Sequence, residues 1–209
     1  ASATTMNRWN DDRLSRDQQR EMKRNAVLRE AGRAFKRNGF HKTSLDDIAK
    51  ALNVTKGALY HYVRNKQEIL FRCHEMSLDI GEDALTRAHA EGRDGAVKVS
   101  ILIRHLVENM SGDLGDVAVL TEVEALQPSY RKIIQKRRDA FDRGFRAILE
   151  EGIADGSVRN CDVRMAGFFA IGAVNWIPKW FSPGGELSAQ ELAEMYAQFV
   201  INGVSGGEK

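Results

Sequence analysis

At 209 residues the chain has room for one sizeable domain or two small ones, and 43% hydrophobic with 29% charged residues is an ordinary globular composition. No apolar run approaches the roughly 20 residues of a membrane span, and Ala1-Ser2-Ala3-Thr4-Thr5 lacks the charged-then-apolar pattern of a secretory signal, so the expected location is cytoplasmic. The formal net charge of +2 conceals a division: residues 1–66 hold 15 Lys and Arg against 7 Asp and Glu, whereas residues 67–209 hold 16 against 22. A basic segment on an acidic body is the electrostatic footprint of a polyanion-binding head, and it makes nucleic acid the first partner to test.

Residues 1–16 are polar and without periodicity, and are expected to be flexible. From about Asp17 to Arg37, Met22, Ala26, Val27, Ala31, Ala34 and Phe35 give an apolar stripe at helical spacing, closed by Asn38-Gly39. The leading turns carry Arg13, Arg16, Arg20, Lys23 and Arg24, which suit a sugar-phosphate backbone and equally well a solvated face.

The segment Thr43 to Lys66 reads as a helix-turn-helix. Ser44 caps a short helix with Asp46 and Asp47 in its first turn, and Leu45, Ile48, Ala49 and Leu52 share one face. Asn53 tolerates the left-handed backbone of a tight turn, Val54 plugs the corner, and Thr55 caps a second helix through Tyr62. Only Leu59 and Val63 of that second helix are clear core residues; the rest offer amine, hydroxyl and imidazole donors suited to a major groove flanked by phosphates. An ordinary helical hairpin inside a core is the competing reading.

The Thr55-Lys56-Gly57-Ala58-Leu59-Tyr60-His61-Tyr62-Val63 run with the Asn65-Lys66-Gln67-Glu68 after it resembles the DNA-binding motif of the TetR/AcrR family of bacterial transcriptional regulators. The resemblance implies an all-α protein of about nine helices: a three-helix head over residues 17–66 and an effector-binding, dimerising body over 67–209. It implies a DNA-binding face of Thr43, Ser44, Thr55, Lys56, Gly57, Tyr60, His61, Tyr62 and Lys66, with Lys56 and Gly57 against base edges and the others serving mainly phosphates.

Beyond the motif, Asn65 with Glu68 forms a capping box that opens a long helix to about Glu91, and Gly92–Gly95 breaks it. Helices are expected over Ala96–Met110 and Val117–Leu126, from Pro128 through Leu149, and from Asp162 to about Phe181, with Cys73 and Cys161 as reduced thiols. Ser188 and Glu191 form another capping box at the head of the last helix.

One recognition helix reads too few base pairs to compete with non-specific sites, so a second copy is needed. Leu192, Met195, Tyr196, Phe199 and Val200 form a stripe, and the preceding helix has small residues at Ala166, Gly167, Ala170 and Ala173. Ala166, Ala170, Leu192, Met195, Tyr196 and Phe199 are therefore the expected dimer interface, as the family pairs its last two helices. The most aromatic segment, Phe168 to Phe181, sets Trp176 and Trp180 on one helical face with Pro178 between them, expected to kink the helix. The run from Asn175 to Gly185 resembles family members that sense acyl-CoA thioesters or related hydrophobic carboxylates. Phe168, Asn175, Trp176 and Trp180 are accordingly the expected pocket wall, with Arg104, His105, Arg137, Arg138, Arg143 and Arg146 as candidate counter-charges.

The function expected is a ligand-responsive repressor, a dimer on a palindromic double-stranded DNA operator released by a small hydrophobic effector. Regulation of efflux or xenobiotic genes and a DNA-architectural role without effector are the alternatives. No enzyme, metal or cofactor is expected: the five histidines form no His-Glu-x-x-His site, and there is no glycine-rich phosphate loop.

Overall fold

The computed structural model describes residues 15–112, 115 and 123–204. Among them the regular structure is helical: α1 Arg16–Asn38, α2 Leu45–Ala51, α3 Lys56–Leu59, α4 Lys66–Glu91, α5 Gly95–Ser111, α6 Pro128–Asp155, α7 Val163–Trp180 and α8 Ala189–Val204, with a 3-10 turn Val123–Ala125 before α6. No helix among the described residues is long and apolar enough to cross a membrane.

Caps place most of these boundaries. Ser15 accepts from the Gln18 amide and Gln18 returns to the Ser15 amide, so the first helix begins inside the segment expected to be flexible. Ser44 and Asp47 close a reciprocal box at 3.1 and 2.8 Å, and the Ser44 hydroxyl, donating to Asp47 at 2.6 Å, together with the Ser44 amide holds the Asp47 carboxyl below the usual carboxylate range. Asn65 accepts from the Glu68 amide at 2.8 Å, while Glu68 accepts from Arg64 rather than from Asn65. Asn53 has φ 54°, the left-handed conformation expected of it.

Two clusters form the interior. The head buries Val27, Leu28, Phe35, Ile48, Leu59 and Ile69, and also takes in Leu126 and Ile134 from the 3-10 turn and from α6. The body closes around α5, whose Val99, Leu102, Ile103 and Val107 are fully buried and which packs along α4, α6, α7 and α8. At one crossing Gly95 and Gly152 meet so closely that a Cβ on Gly95 would lie 2.1 Å from the Gly152 Cα, so position 95 admits only glycine.

Two expected helices are shorter among the described residues. The recognition helix covers only Lys56–Leu59; His61 and Tyr62 amides bond back three residues, to Ala58 and Leu59, tightening its end into turns. The helix expected over Val117–Leu126 reduces to Val123–Ala125 among the described residues, and its beginning lies outside them. Among the described residues there are eight α-helices and one 3-10 turn, in keeping with the all-α chain of about nine helices that was expected. Pro178 lies within α7, which runs on to Trp180; it stands so near the end that only the bond to the Val174 carbonyl is forgone.

Candidate DNA-reading head and effector cavity

Thr55, Lys56, Gly57, Tyr60 and His61 all lie on the exposed outer surface around α3, with Ser44 exposed at the start of α2. Thr55 accepts from the Ala58 amide at 3.1 Å and so sets the direction of α3. Lys56 Nζ donates to Asp46 Oδ2 at 2.8 Å, which raises its pKa and parks the ammonium against α2. A Cβ on Gly57 would meet only Thr55 Oγ1, at 3.9 Å. Nothing within the subunit therefore requires glycine there, and the bare backbone faces outward.

Thr43 and Lys66 depart from the expected phosphate-facing set. The Thr43 hydroxyl is buried and donates to the Gly39 carbonyl at 3.0 Å and the Ala34 carbonyl at 3.3 Å. Lys66 Nζ donates to the carbonyls of Phe40 at 2.8 Å and Thr43 at 2.9 Å and stands 4.2 Å from the Phe40 ring centroid, with its pKa lowered by desolvation. Both side chains brace the α1–α2 loop from inside. Tyr62 is half-buried against the head core.

Beyond the Leu126 and Ile134 packing, a ring stack and a glutamine join this head to the body. Phe71 on α4 stacks on Tyr130 of α6 with centroids 4.3 Å apart. Gln67 donates to the Ala125 carbonyl at 2.7 Å and accepts from the Gln127 amide at 2.9 Å. No spacing rule marks Gln67, so sequence reasoning passed over it.

Within the body a cavity of 490 Å³ lies between α4, α5, α6 and α7, a size ordinary for small-molecule sites. His74, Ser77 and Gly81 line it from α4, Leu106 and Met110 from α5, Arg138, Phe141 and Arg146 from α6, and Phe168, Ile171 and Asn175 from α7. Helices α4 and α6 run in step: Phe71 meets Tyr130, Arg137 bonds Asp79 and Glu82, and the Phe141 ring lies where a Gly81 Cβ would come within 3.0 Å of it.

Phe168 and Asn175 thus reach the cavity, whereas Trp176 and Trp180 do not. The inward face of α7 is Ala170, Val174 and Ile177, which turns Trp176 outward, 61% exposed, on one side with Met165 and Phe169. Trp180 is also exposed and is hydrogen-bonded to Tyr196, whose own pKa burial raises. Of the expected interface, Ala170 and Leu192 pack inside the subunit, Ala166 and Tyr196 are half-buried, and Met195 and Phe199 are open.

Several candidate counter-charges are committed elsewhere: Arg104 to Glu194, His105 to Asp83, Arg137 to Asp79 and Glu82, while Arg143 does not line the cavity. Both cysteines are free; burial pushes the Cys73 thiol up to about 12, so it stays protonated and inert. No cluster of His, Cys, Asp and Glu suited to a metal occurs among the described residues.

A capped helix-turn-helix joined to a helical body that holds a cavity is the arrangement of a one-component DNA-binding regulator. Residues 27–73 match the model of bacterial regulatory proteins of the tetR family, and residues 92–204 match the tetracyclin repressor-like C-terminal domain. The chain belongs to the TetR family of transcriptional regulators, which bind DNA and act as dimers. It is 28% identical over 206 residues to the repressor KstR2 of Mycolicibacterium smegmatis, covering 90% of this chain and 94% of that protein. Among solved structures it is similar to PfmR of Thermus thermophilus, with a TM-score of 0.71 and 30% identity over 84% of this chain and 97% of that one. It is also similar to AibR in complex with isovaleryl coenzyme A and operator DNA, with a TM-score of 0.70 and 25% identity over 87% and 98%.

Proposed function

We propose that this regulator is a repressor whose dimer holds a palindromic operator in the bacterial cytoplasm until a small hydrophobic effector, an acyl-CoA or a related acyl compound, enters the α4–α7 cavity. Helix α4 carries the argument: its first turn braces the head through Lys66 and Gln67, and two to four turns later it lines the cavity with His74, Ser77 and Gly81. A ligand that fits one setting of α4 better than another shifts the head by its differential affinity for the two settings. The AibR complex with isovaleryl coenzyme A supports the ligand class.

Base edges are read by Lys56 and Gly57, whose backbone is open to a duplex, and Ser44, Thr55, Tyr60 and His61 serve phosphates. Met195 and Phe199 of α8, with the outward row Met165, Phe169 and Trp176 of α7, form the seam between subunits. These side chains are 42–70% exposed in the single subunit, a large apolar surface for a protein to leave in water. The test is fluorescence anisotropy of the dimer on its operator, titrated with acyl-CoAs of increasing chain length. Operator release by none of them, with melting temperature also unmoved, would sink the effector assignment.

A further inference from the structure

The cavity has a closed side and an open one. His74, Ser77 and Gly81 of α4 and Leu106 and Met110 of α5 are buried, which seals it between those helices. The exposed lining residues are Arg138 and Asp139 on α6 and Phe168 and Gly172 on α7. Among the described residues the mouth is therefore a slit between α6 and α7.

Three glycines line the cavity, and they differ in what surrounds them. A Cβ on Gly81 would come within 3.0 Å of the Phe141 ring, and one on Gly167 within 3.7 Å of the Phe145 ring, so side chains of α6 occupy the space beside both. A Cβ on Gly172 would meet nothing within 4 Å. Gly172 stands inside α7, where glycine is less favourable than alanine because it gives up more backbone freedom. No close neighbour in the subunit requires it, so packing does not account for the residue. Its position at the mouth does: Phe168, 51% exposed with the Arg164 guanidinium 5.4 Å from its ring centroid, precedes it by one turn, and half-buried Asn175 follows by one turn. A side chain at 172 would project between them into the opening.

We infer that the effector enters and leaves through the α6–α7 slit and that Gly172 keeps the slit passable. The inference rests on the reading of this cavity as the effector site. A larger residue at 172 obstructs passage in both directions, so it slows entry and exit together and leaves the bound state in place. Gly172 also lies three residues after Phe169 and four before Trp176, which makes close approach of the partner subunit the rival reason for a glycine here.

Stopped-flow fluorescence separates the two, using the full-length dimer and N-phenyl-1-naphthylamine, an uncharged aromatic probe that brightens in apolar surroundings. Gly172→Leu should slow association and dissociation at least fivefold each, with the equilibrium affinity held within threefold, and Gly172→Ala should fall between it and the parent. Phe168→Ala, which widens the same opening, should speed association. Gly172→Ala should also melt about 1–4 °C higher, since alanine favours the helix. Unchanged association in the leucine variant overturns the inference, and if sedimentation shows a weakened dimer as well, the glycine serves the seam. Faster dissociation at unchanged association would make position 172 part of the wall and overturns it equally. If the parent dimer holds its operator but binds no probe, the effector-site reading itself falls, and this inference with it.

Discussion

Lys66 separates two accounts of the head. As a phosphate contact its loss would cost affinity through charge; as an internal brace its loss costs head stability. Lys66→Met keeps the length of the side chain but removes bonds to two carbonyls, of Phe40 at 2.8 Å and Thr43 at 2.9 Å, and a cation 4.2 Å from the Phe40 ring. A hydrogen bond from a charged donor contributes about 1.5–3 kcal/mol when buried, and a cation–π contact at an exposed site about 0.5–1. The site is only partly buried and water replaces part of both, so the expected loss is about 1–3 kcal/mol. At roughly 2–4 °C per kcal/mol for a chain of this size, melting should fall by several degrees. Operator anisotropy measured from 50 to 300 mM salt should then show weaker binding to all sequences at an unchanged slope of log affinity against log salt. A slope reduced by about one with unchanged melting would show that Lys66 neutralises a phosphate, and the brace would be wrong.

Lys56→Ala should cost about 1–3 kcal/mol on the operator and relax base preference at one position per half-site, read by binding to a library of single-base operator variants. Asp46→Asn releases Lys56 from its ion pair and should tighten operator binding at low salt; weaker binding would show that the pair pre-positions the lysine. Phe199→Asp buries an uncompensated carboxylate at the seam and should give monomers in sedimentation, and Trp176→Ala should weaken the dimer more than the effector response, the reverse of what a cavity-wall residue would do. Asp155 is hydrogen-bonded by the Ser157 hydroxyl and accepts from the Gly95 and Ser157 amides, which together hold its carboxyl below the ordinary value; the stability it lends is complete above about pH 4 and is lost as pH falls through its folded pKa, so Asp155→Asn should flatten that acid limb in a melting series.

What the sequence by itself determined is local. Ser44, Asn53, Thr55, Asn65 and Ser188 act on backbone groups within four residues, so caps and the turn were legible from residue type and spacing alone, and the charge division needed only counting. The family resemblance rested on that same stretch, and the all-α fold followed from helical periodicity elsewhere. Periodicity states that a helix has an apolar face without saying which neighbour covers it. Trp176 and Trp180 share a face by sequence, but the packing of Ala170, Val174 and Ile177 inward decided that the face is the outer one. Lys66 reads as a surface cation until the α1–α2 loop, 23 to 26 residues earlier in the chain, closes over its ammonium. His74, Ser77 and Gly81 form one more core-like stripe on α4, and only its register against α6 and α7 leaves space instead of side chains beside them. A cavity is what four helices fail to fill together, and that depends on side-chain volumes brought together from distant parts of the chain rather than on any one segment's pattern.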